Sequence, residues 1–137
     1  MYEGTITYTT VDNKGNDKNV KENYILEHCE SFSDAEEQLF NEGDGRTAID
    51  VIAIKRSPLK EIVNERENEE QKVFIATIID KFYDADKDET TETKYNVALF
   101  AVDIAKAHQV VNEYMKQGLE DMELVGLKCT KIVDVLR

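Results

Sequence analysis

The stretch Ser31-Phe32-Ser33-Asp34-Ala35 decides the fold, because a stretch of the same design, Asp103-Ile104-Ala105-Lys106-Ala107, follows about 72 residues later. In each stretch a residue able to cap a helix comes first, then an apolar residue, and an alanine three positions later. Further apolar residues follow at helical spacing, so each stretch predicts the start of an amphipathic helix. The sequence therefore predicts two copies of one structural unit.

Strand-like segments surround both predicted helices in the same order. Alternation and β-branched residues identify these segments, and a polar turn separates the first two in each copy. Pro58 ends the third strand of the first copy, since proline cannot donate to a sheet. The predicted strands are Gly4–Thr10, Val20–His28, Ala48–Ile54, Val73–Phe82, Lys94–Val102 and Met122–Val135. We predict an α+β fold, a tandem duplication of a β-β-α-β unit with antiparallel sheets each covered by one helix.

The predicted repeats are residues 1–63 and 72–137, and the wholly polar segment 64–71 connects them. A chain of 137 residues with 41% apolar side chains has enough apolar surface for one compact domain, so we expect both repeats to share a single domain. Two strands of the second repeat are apolar on both faces, which is typical of strands inside a monomer or against another subunit. A homo-oligomer therefore stays open, with Phe74, Ala98 and Phe100 as candidate interface residues.

Composition narrows the class of protein. The net charge is -12, from 29 acidic and 17 basic residues, which does not fit a basic protein that coats DNA. No apolar run approaches 18 residues, and the start of the chain lacks the features of a signal peptide, so we expect a cytoplasmic protein with no membrane partner. Cys29 and Cys129 have no metal-ligand spacing and are interpreted as reduced thiols.

A further pattern links the chain to a known family. Its parts are Tyr24, Ser31-Phe32, Ala35-Glu36, Val51–Lys55, Lys60-Glu61-Ile62 and Ile132–Leu136. With this pattern the chain resembles an uncharacterised domain family of Bacteroidales and their crAss-like phages. The resemblance implies a small intracellular protein of phage or mobile-element context, and it carries no catalytic residue or assigned activity.

No motif indicates catalysis or a cofactor. The acids of Asp84–Glu89 alternate as in a calcium loop, but Glu89 replaces the required glycine and Tyr95 replaces the bidentate glutamate. His28 and His108 have no partners at metal or catalytic spacing. Phosphate loops and hydrolase or zinc-protease motifs are absent from the sequence. We therefore predict a protein that is not an enzyme and that uses no metal or cofactor.

Charge is distributed unevenly along the chain. Residues 27–44 contain seven acids and no lysine or arginine, so the first helix is predicted to be acidic, with Glu36 and Glu37 as candidate contacts for a protein partner. Basic residues follow the third strand of the first repeat, and others occupy the matching place of the second repeat. They are Lys55, Arg56 and Lys60 in the first repeat, and Lys128 and Lys131 in the second.

Two interpretations of the basic residues remain open. They could form paired strand edges that hold phosphates, with Tyr8, Tyr24, Phe82 or Tyr83 as stacking platforms for bases. Alternatively they only protect edge strands from aggregation. We predict a non-enzymatic binding module acting through protein surfaces, with a protein partner that includes a second copy as one option. The alternatives are a single-stranded nucleic-acid-binding protein and an acidic decoy or inhibitor of a host protein.

Overall fold

A computed structural model describes residues 1–118 and 121–137. Within these ranges the chain forms two helices and eight strands in two mostly antiparallel sheets, which confirms the predicted α+β class. The elements in chain order are β1 Tyr2–Val11, β2 Asp17–Leu26, α1 Phe32–Glu42, β3 Thr47–Arg56, β4 Leu59–Ile62, β5 Lys72–Asp84, β6 Glu89–Ala101, α2 Ile104–Lys116, β7 Asp121–Cys129 and β8 Ile132–Leu136. In this part of the chain neither helix is long and apolar enough to cross a lipid bilayer.

The elements divide into two compact units. The first unit comprises residues 1–57 and 131–137, and the second comprises residues 58–130. The sheet of the first unit has the order β3-β1-β2-β8, and that of the second has the matching order β7-β5-β6-β4. The last strand of the chain thus completes the first unit, whereas β4, which directly follows β3, completes the second. The compact units therefore differ in extent from the sequence repeats 1–63 and 72–137.

These fourth strands were not predicted. The segment Met122–Val135 was predicted as one strand, but it forms β7 and β8 with a break at residues 130–131. At the break, the backbone N–H and the hydroxyl of Thr130 both donate to the Val73 carbonyl, at 3.0 and 2.8 Å. Strand β8 runs parallel to β2, and β4 runs parallel to β6, so each sheet contains one parallel pair. The added strands pair backbone groups that would otherwise be an open edge.

Both helices begin where the sequence predicts. The Ser31 hydroxyl accepts a hydrogen bond from the backbone N–H of Asp34 at 3.1 Å. The Asp103 carboxylate accepts one from the N–H of Lys106 at 2.8 Å. Each bond satisfies a backbone donor that has no partner inside the first helical turn.

The first unit packs α1 on one face of its sheet. Tyr2, Ile6 and Leu26 are buried there against Ala35 and Leu39 of α1. Gly4 lies between them in β1, and a Cβ at this position would overlap the Leu39 side chain. The missing side chain is therefore what lets α1 lie close to β1.

The second unit also packs its helix, α2, on one face of its sheet, but with different side chains at the contact. Ala76 and Val111 occupy the positions that correspond to Gly4 and Leu39, and both are fully buried. They belong to a core that also contains Phe74, Ile78, Val97, Leu99 and Ala107. A slightly larger strand residue is thus combined with a smaller helix residue, which keeps the total volume similar.

Both sheets have a β-bulge at the corresponding place. The register between β1 and β3 shifts after Thr5, where Ile52 is the extra residue. The register between β5 and β7 shifts after Thr77, where Val125 is the extra residue. Ile52 and Val125 are 48% and 45% exposed. A bulge on an outer strand twists the edge away from further pairing.

A hydrogen-bonded side-chain pair accompanies each bulge. The Thr5 hydroxyl donates to Asn23 Oδ1 at 2.7 Å, and the Thr77 hydroxyl donates to Asn96 Oδ1, also at 2.7 Å. Each asparagine is also the residue at which the added parallel strand begins to pair, with Ile132 or Leu59. The two units therefore share one arrangement of strands, bulge and Thr–Asn pair, which we name the frame.

Candidate functional site

The outer side of α1 carries two phenylalanines among acidic residues. Phe32 and Phe40 are 49% and 44% exposed, and Glu36 and Glu37 are exposed. Residues three or four positions apart are neighbours on a helix, so these four side chains form one continuous surface. We name Phe32, Glu36, Glu37 and Phe40 the helix-1 face.

Contacts with the sheet hold one end of the helix-1 face in place. The Phe32 ring packs edge-on against Tyr2, with 4.9 Å between ring centroids. The Arg56 guanidinium lies 5.6 Å from the Tyr2 ring centroid and 5.9 Å from that of Phe32. Aromatic and cation–π contacts of this geometry are attractive. Phe32 is thus a positioned aromatic surface, half of which stays open to solvent.

The charge of this helix is not balanced locally. Glu36 and Glu37 make no ion pair with any residue in the described part of the chain. The last turn of α1 contains no basic residue and instead ends at Glu42, where the helix dipole favours a cation. Glu42 therefore costs some helix stability, and the charges of Glu36 and Glu37 stay unbalanced.

The corresponding side of α2 has different chemistry. Ile104, His108, Gln109 and Asn112 occupy the matching positions, and the amide of Asn112 lies 3.1 Å from His108 Nδ1. The last turn of α2 has the favourable basic residue Lys116. Acidic and aromatic side chains are thus combined on the first helix and not at the matching positions of the second.

The structure separates the predicted basic residues. In the first unit, Lys55 and Lys131 line one pocket, whereas strand alternation directs Arg56 to the opposite face of the sheet, against Tyr2 and Phe32. In the second unit, Lys60 Nζ lies 4.1 Å from the Tyr95 ring centroid. Lys128 belongs to β7, where it pairs in register with Ile75. The basic residues predicted to form paired strand edges are therefore divided between the two faces of a sheet and between the two units.

The proposed stacking aromatics are also dispersed. Tyr24 is only 2% exposed, and its burial, together with the charge of Glu22, raises the pKa of its hydroxyl to about 12. The Tyr8 ring has the Arg46 guanidinium 4.5 Å from its centroid. Phe82 and Tyr83 are 57% and 56% exposed, near the end of β5 in the second unit.

The candidate apolar interface residues are buried. Phe74, Ala98 and Phe100 are 3%, 0% and 2% exposed in the single chain. Phe74 packs in the core that includes residues of α2. These three side chains are therefore core residues in the single chain, and their burial does not favour the predicted interface role.

The environment of Cys29 does not favour a reactive thiol. Its S–H donates to Gln38 Oε1 at 3.0 Å, and burial, assisted by the charge of Asp34, raises the pKa of the thiol. His28 Nε2 lies 3.8 Å from the carboxylate of Glu27. The described residues contain no group of three or more His, Cys, Asp or Glu side chains arranged to hold a metal ion.

Sequence reasoning missed the two phenylalanines. Phe32, Ala35, Leu39 and Phe40 are the apolar residues at helical spacing in α1, but only Ala35 and Leu39 are fully buried. The four residues span an arc wider than one sheet can cover, because Phe40 lies about 100° from Leu39 around the helix axis. The width of this apolar arc was the available signal.

The fold and the site define a two-unit α+β protein with an acidic, aromatic helix face. Comparison with known proteins places it in a family: the chain belongs to the family described as a domain of unknown function (DUF4494), whose model matches residues 1–137. No curated protein and no solved structure matches the chain.

Proposed function

We propose that this protein is a non-enzymatic interaction module that binds a basic polypeptide segment through the helix-1 face. One observation carries the proposal: two half-exposed phenylalanines flank acidic side chains that have no ion pair in the described part of the chain. Exposed aromatic residues and unbalanced charge are both features of binding surfaces.

The chemistry of the helix-1 face specifies the partner. Carboxylates of Glu36 and Glu37 favour lysine and arginine side chains, and charge complementarity speeds the encounter. Phe32 and Phe40 offer apolar contact, or stacking for a guanidinium group. The surface is small, so we expect a weak or transient complex.

Two broader expectations accompany this proposal. The phage or mobile-element context implied by the family resemblance would make a host protein a natural partner. A protein of net charge -12 could then act as an acidic decoy that occupies a basic surface of that host protein. In both cases the helix-1 face is the contact surface.

Selection from a random peptide library tests the proposal. We expect the intact protein to enrich peptides that combine arginine or lysine with an apolar residue. The variant Glu36→Gln/Glu37→Gln should lose the basic preference, and Phe40→Ala should lose the apolar one. The matched control Asn112→Ala changes the corresponding surface of α2 and should enrich the same peptides as the intact protein. Equal enrichment by all variants would exclude the helix-1 face.

Single-stranded nucleic acid remains a second candidate ligand, because Lys55 and Lys131 line the same pocket. Anisotropy of a labelled oligonucleotide at low salt tests it. Binding should weaken steeply with salt, and Lys55→Glu/Lys131→Glu should weaken it further, whereas Glu36→Gln should not. No change of anisotropy at high micromolar protein would end this alternative.

We further infer that the units arose by duplication of one segment with the order β-β-α-β-β. Matching sheet orders, matching bulges and the two Thr–Asn pairs support this inference. In this view the frame is common to both units, and binding evolved on surfaces where the copies differ.

A further inference from the structure

The first unit contains a pocket of about 330 Å³ on its sheet. Side chains of Glu3, Thr5, Asn23, Ala53 and Lys55 line it, and Lys131 and Ile132 complete it at the start of β8. In β1, Glu3 and Thr5 alternate with the core residues that pack under α1, so their side chains lie on the sheet face opposite that helix. The pocket is therefore separate from the helix-1 face.

Hydrogen-bond donors in the pocket are only partly used. The Thr5 hydroxyl donates to Asn23 Oδ1, which leaves the side-chain NH₂ of Asn23 without an acceptor among the described residues. Lys131 has no ion pair in the described part of the chain. Lys55 Nζ lies 3.6 Å from Glu3 Oε2, so its charge is partly neutralised. Two ammonium groups against one carboxylate give the pocket a net positive charge.

We propose that this pocket binds the phosphate or carboxylate group of a small molecule. Lys131 and the amide of Asn23 are the main ligands for the anion, and Lys55 assists them. The volume lies at the lower end of the range for small-molecule sites. Ala53 and Ile132 provide the apolar wall, which suits a short aliphatic body.

Comparison with the second unit shows which pocket residues belong to the shared frame and which are specific to the first unit. The Thr77–Asn96 pair repeats the Thr5–Asn23 hydrogen bond, so the pair by itself belongs to the frame. The position before the added strand is Pro58 in the second unit, where the first has Lys131. The partner of Lys55 in register is Glu3, whereas that of Lys128 is Ile75. Among the proposed anion ligands, Lys131 is thus specific to the first unit, whereas Asn23 and Lys55 have counterparts in Asn96 and Lys128.

Amide NMR titrations of the full chain test the proposal at low salt. The probes are inorganic phosphate, ethyl phosphate, acetate and butyrate, with propanol as the uncharged control. We expect saturable shifts at Thr5, Asn23 and Lys131 with at least one anion, and none with propanol. The phosphate and carboxylate probes decide which head group the pocket prefers. Shifts that are absent, or that increase linearly without saturation, would overturn the proposal.

Variants then distinguish a site from general attraction. Lys131→Gln should raise the Kd about threefold to fivefold, and Lys55→Gln should raise it less, because Glu3 already engages Lys55. Glu3→Gln should lower the Kd, since it removes a repulsive carboxylate. The matched control Lys128→Gln removes the same charge from the second unit and should leave the Kd within error. An equal effect of Lys128→Gln and Lys131→Gln would show diffuse charge attraction and refute the pocket.

Discussion

The two units have the same frame but different surfaces. Both contain a capped helix, a bulged outer strand, a Thr–Asn pair and a fourth strand that pairs in parallel. The first unit adds exposed phenylalanines and unbalanced acids on its helix and Lys131 in its pocket, whereas the second has no acidic residue or phenylalanine at the matching helix positions and has Pro58 in place of Lys131. Features common to both units therefore stabilise the fold, and features of one unit are where function should be sought.

We expect the largest effect on stability from a substitution at Gly4. Because a Cβ there overlaps Leu39, Gly4→Ala should destabilise the protein by about 2 kcal/mol. The double variant Gly4→Ala/Leu39→Val copies the Ala76/Val111 combination of the second unit and should recover most of the loss. Urea denaturation measures both. A double variant as unstable as the single one would show that the two units do not pack alike.

The next largest effect on stability concerns the residues that follow the added strands, Asn64 after β4 and Arg137 after β8. In the second unit the Asn64 side chain makes two hydrogen bonds to the backbone of Phe100. Its amide NH₂ donates to the Phe100 carbonyl at 3.0 Å, and its Oδ1 accepts from the Phe100 N–H at 2.7 Å. In the first unit the matching position is Arg137, whose Nε lies 2.7 Å from a carboxylate oxygen of Glu27.

Asn64→Ala should therefore cost about 1 to 2 kcal/mol, because it leaves two backbone groups without partners. Arg137→Ala should cost less than about 1 kcal/mol, because it removes a partly exposed ion pair. Urea midpoints measure both effects. The reverse order would mean that Arg137 after β8 contributes more than Asn64 after β4.

Tyr24 in the first unit should produce a pH effect on stability, in addition to that of Tyr114 in the second unit, whose pKa burial and Glu61 also raise. Burial and the nearby Glu22 raise the pKa of Tyr24 to about 12 in the folded protein, from an ordinary value of 10.0. The neutral hydroxyl therefore contributes stability that is complete below pH 10 and is lost as the pH rises through 12. By pH 11 the loss should be roughly 1 kcal/mol. Tyr24→Phe should show a shallower decline of stability between pH 10 and 12, and an unchanged slope would contradict the assignment.

Loss of the helix cap should lower stability by a similar amount in both units. Ser31→Ala and Asp103→Ala should each lower stability by about 1 kcal/mol or less through loss of a hydrogen-bond acceptor. Thermal unfolding of each variant measures this. If only one variant were destabilised, the two helix starts would not be equivalent.

Sequence reasoning predicted the parts of the fold that have strong local signals. Caps at Ser31 and Asp103 and the alternation of β1 and β2 have local physical causes, so they could be predicted. Strand β4 has only four residues and includes two charged ones, so it gives no clear periodic signal. The break before β8 contains no glycine or proline, and the Thr130 side-chain hydrogen bond found there depends on tertiary contact with Val73.

The candidate site was predicted only in part, for a similar reason. Glu36 and Glu37 were identified from charge, which is visible in the sequence. Exposure of Phe32 and Phe40 depends on how much of α1 the sheet covers, which is a tertiary property. The shared pocket of Lys55 and Lys131 depends on the placement of β8, which no local pattern encodes.

Isothermal titration of one selected basic peptide tests the central claim most directly. Three proteins are compared at low salt: the intact chain, Glu37→Gln/Phe40→Ala, and the matched second-unit variant Gln109→Ala/Asn112→Ala. We predict that the helix-1 variant raises the Kd at least about tenfold, which corresponds to about 1.4 kcal/mol, and that the second-unit variant changes it by less than twofold. Equal affinities of the intact chain and the helix-1 variant would contradict the account.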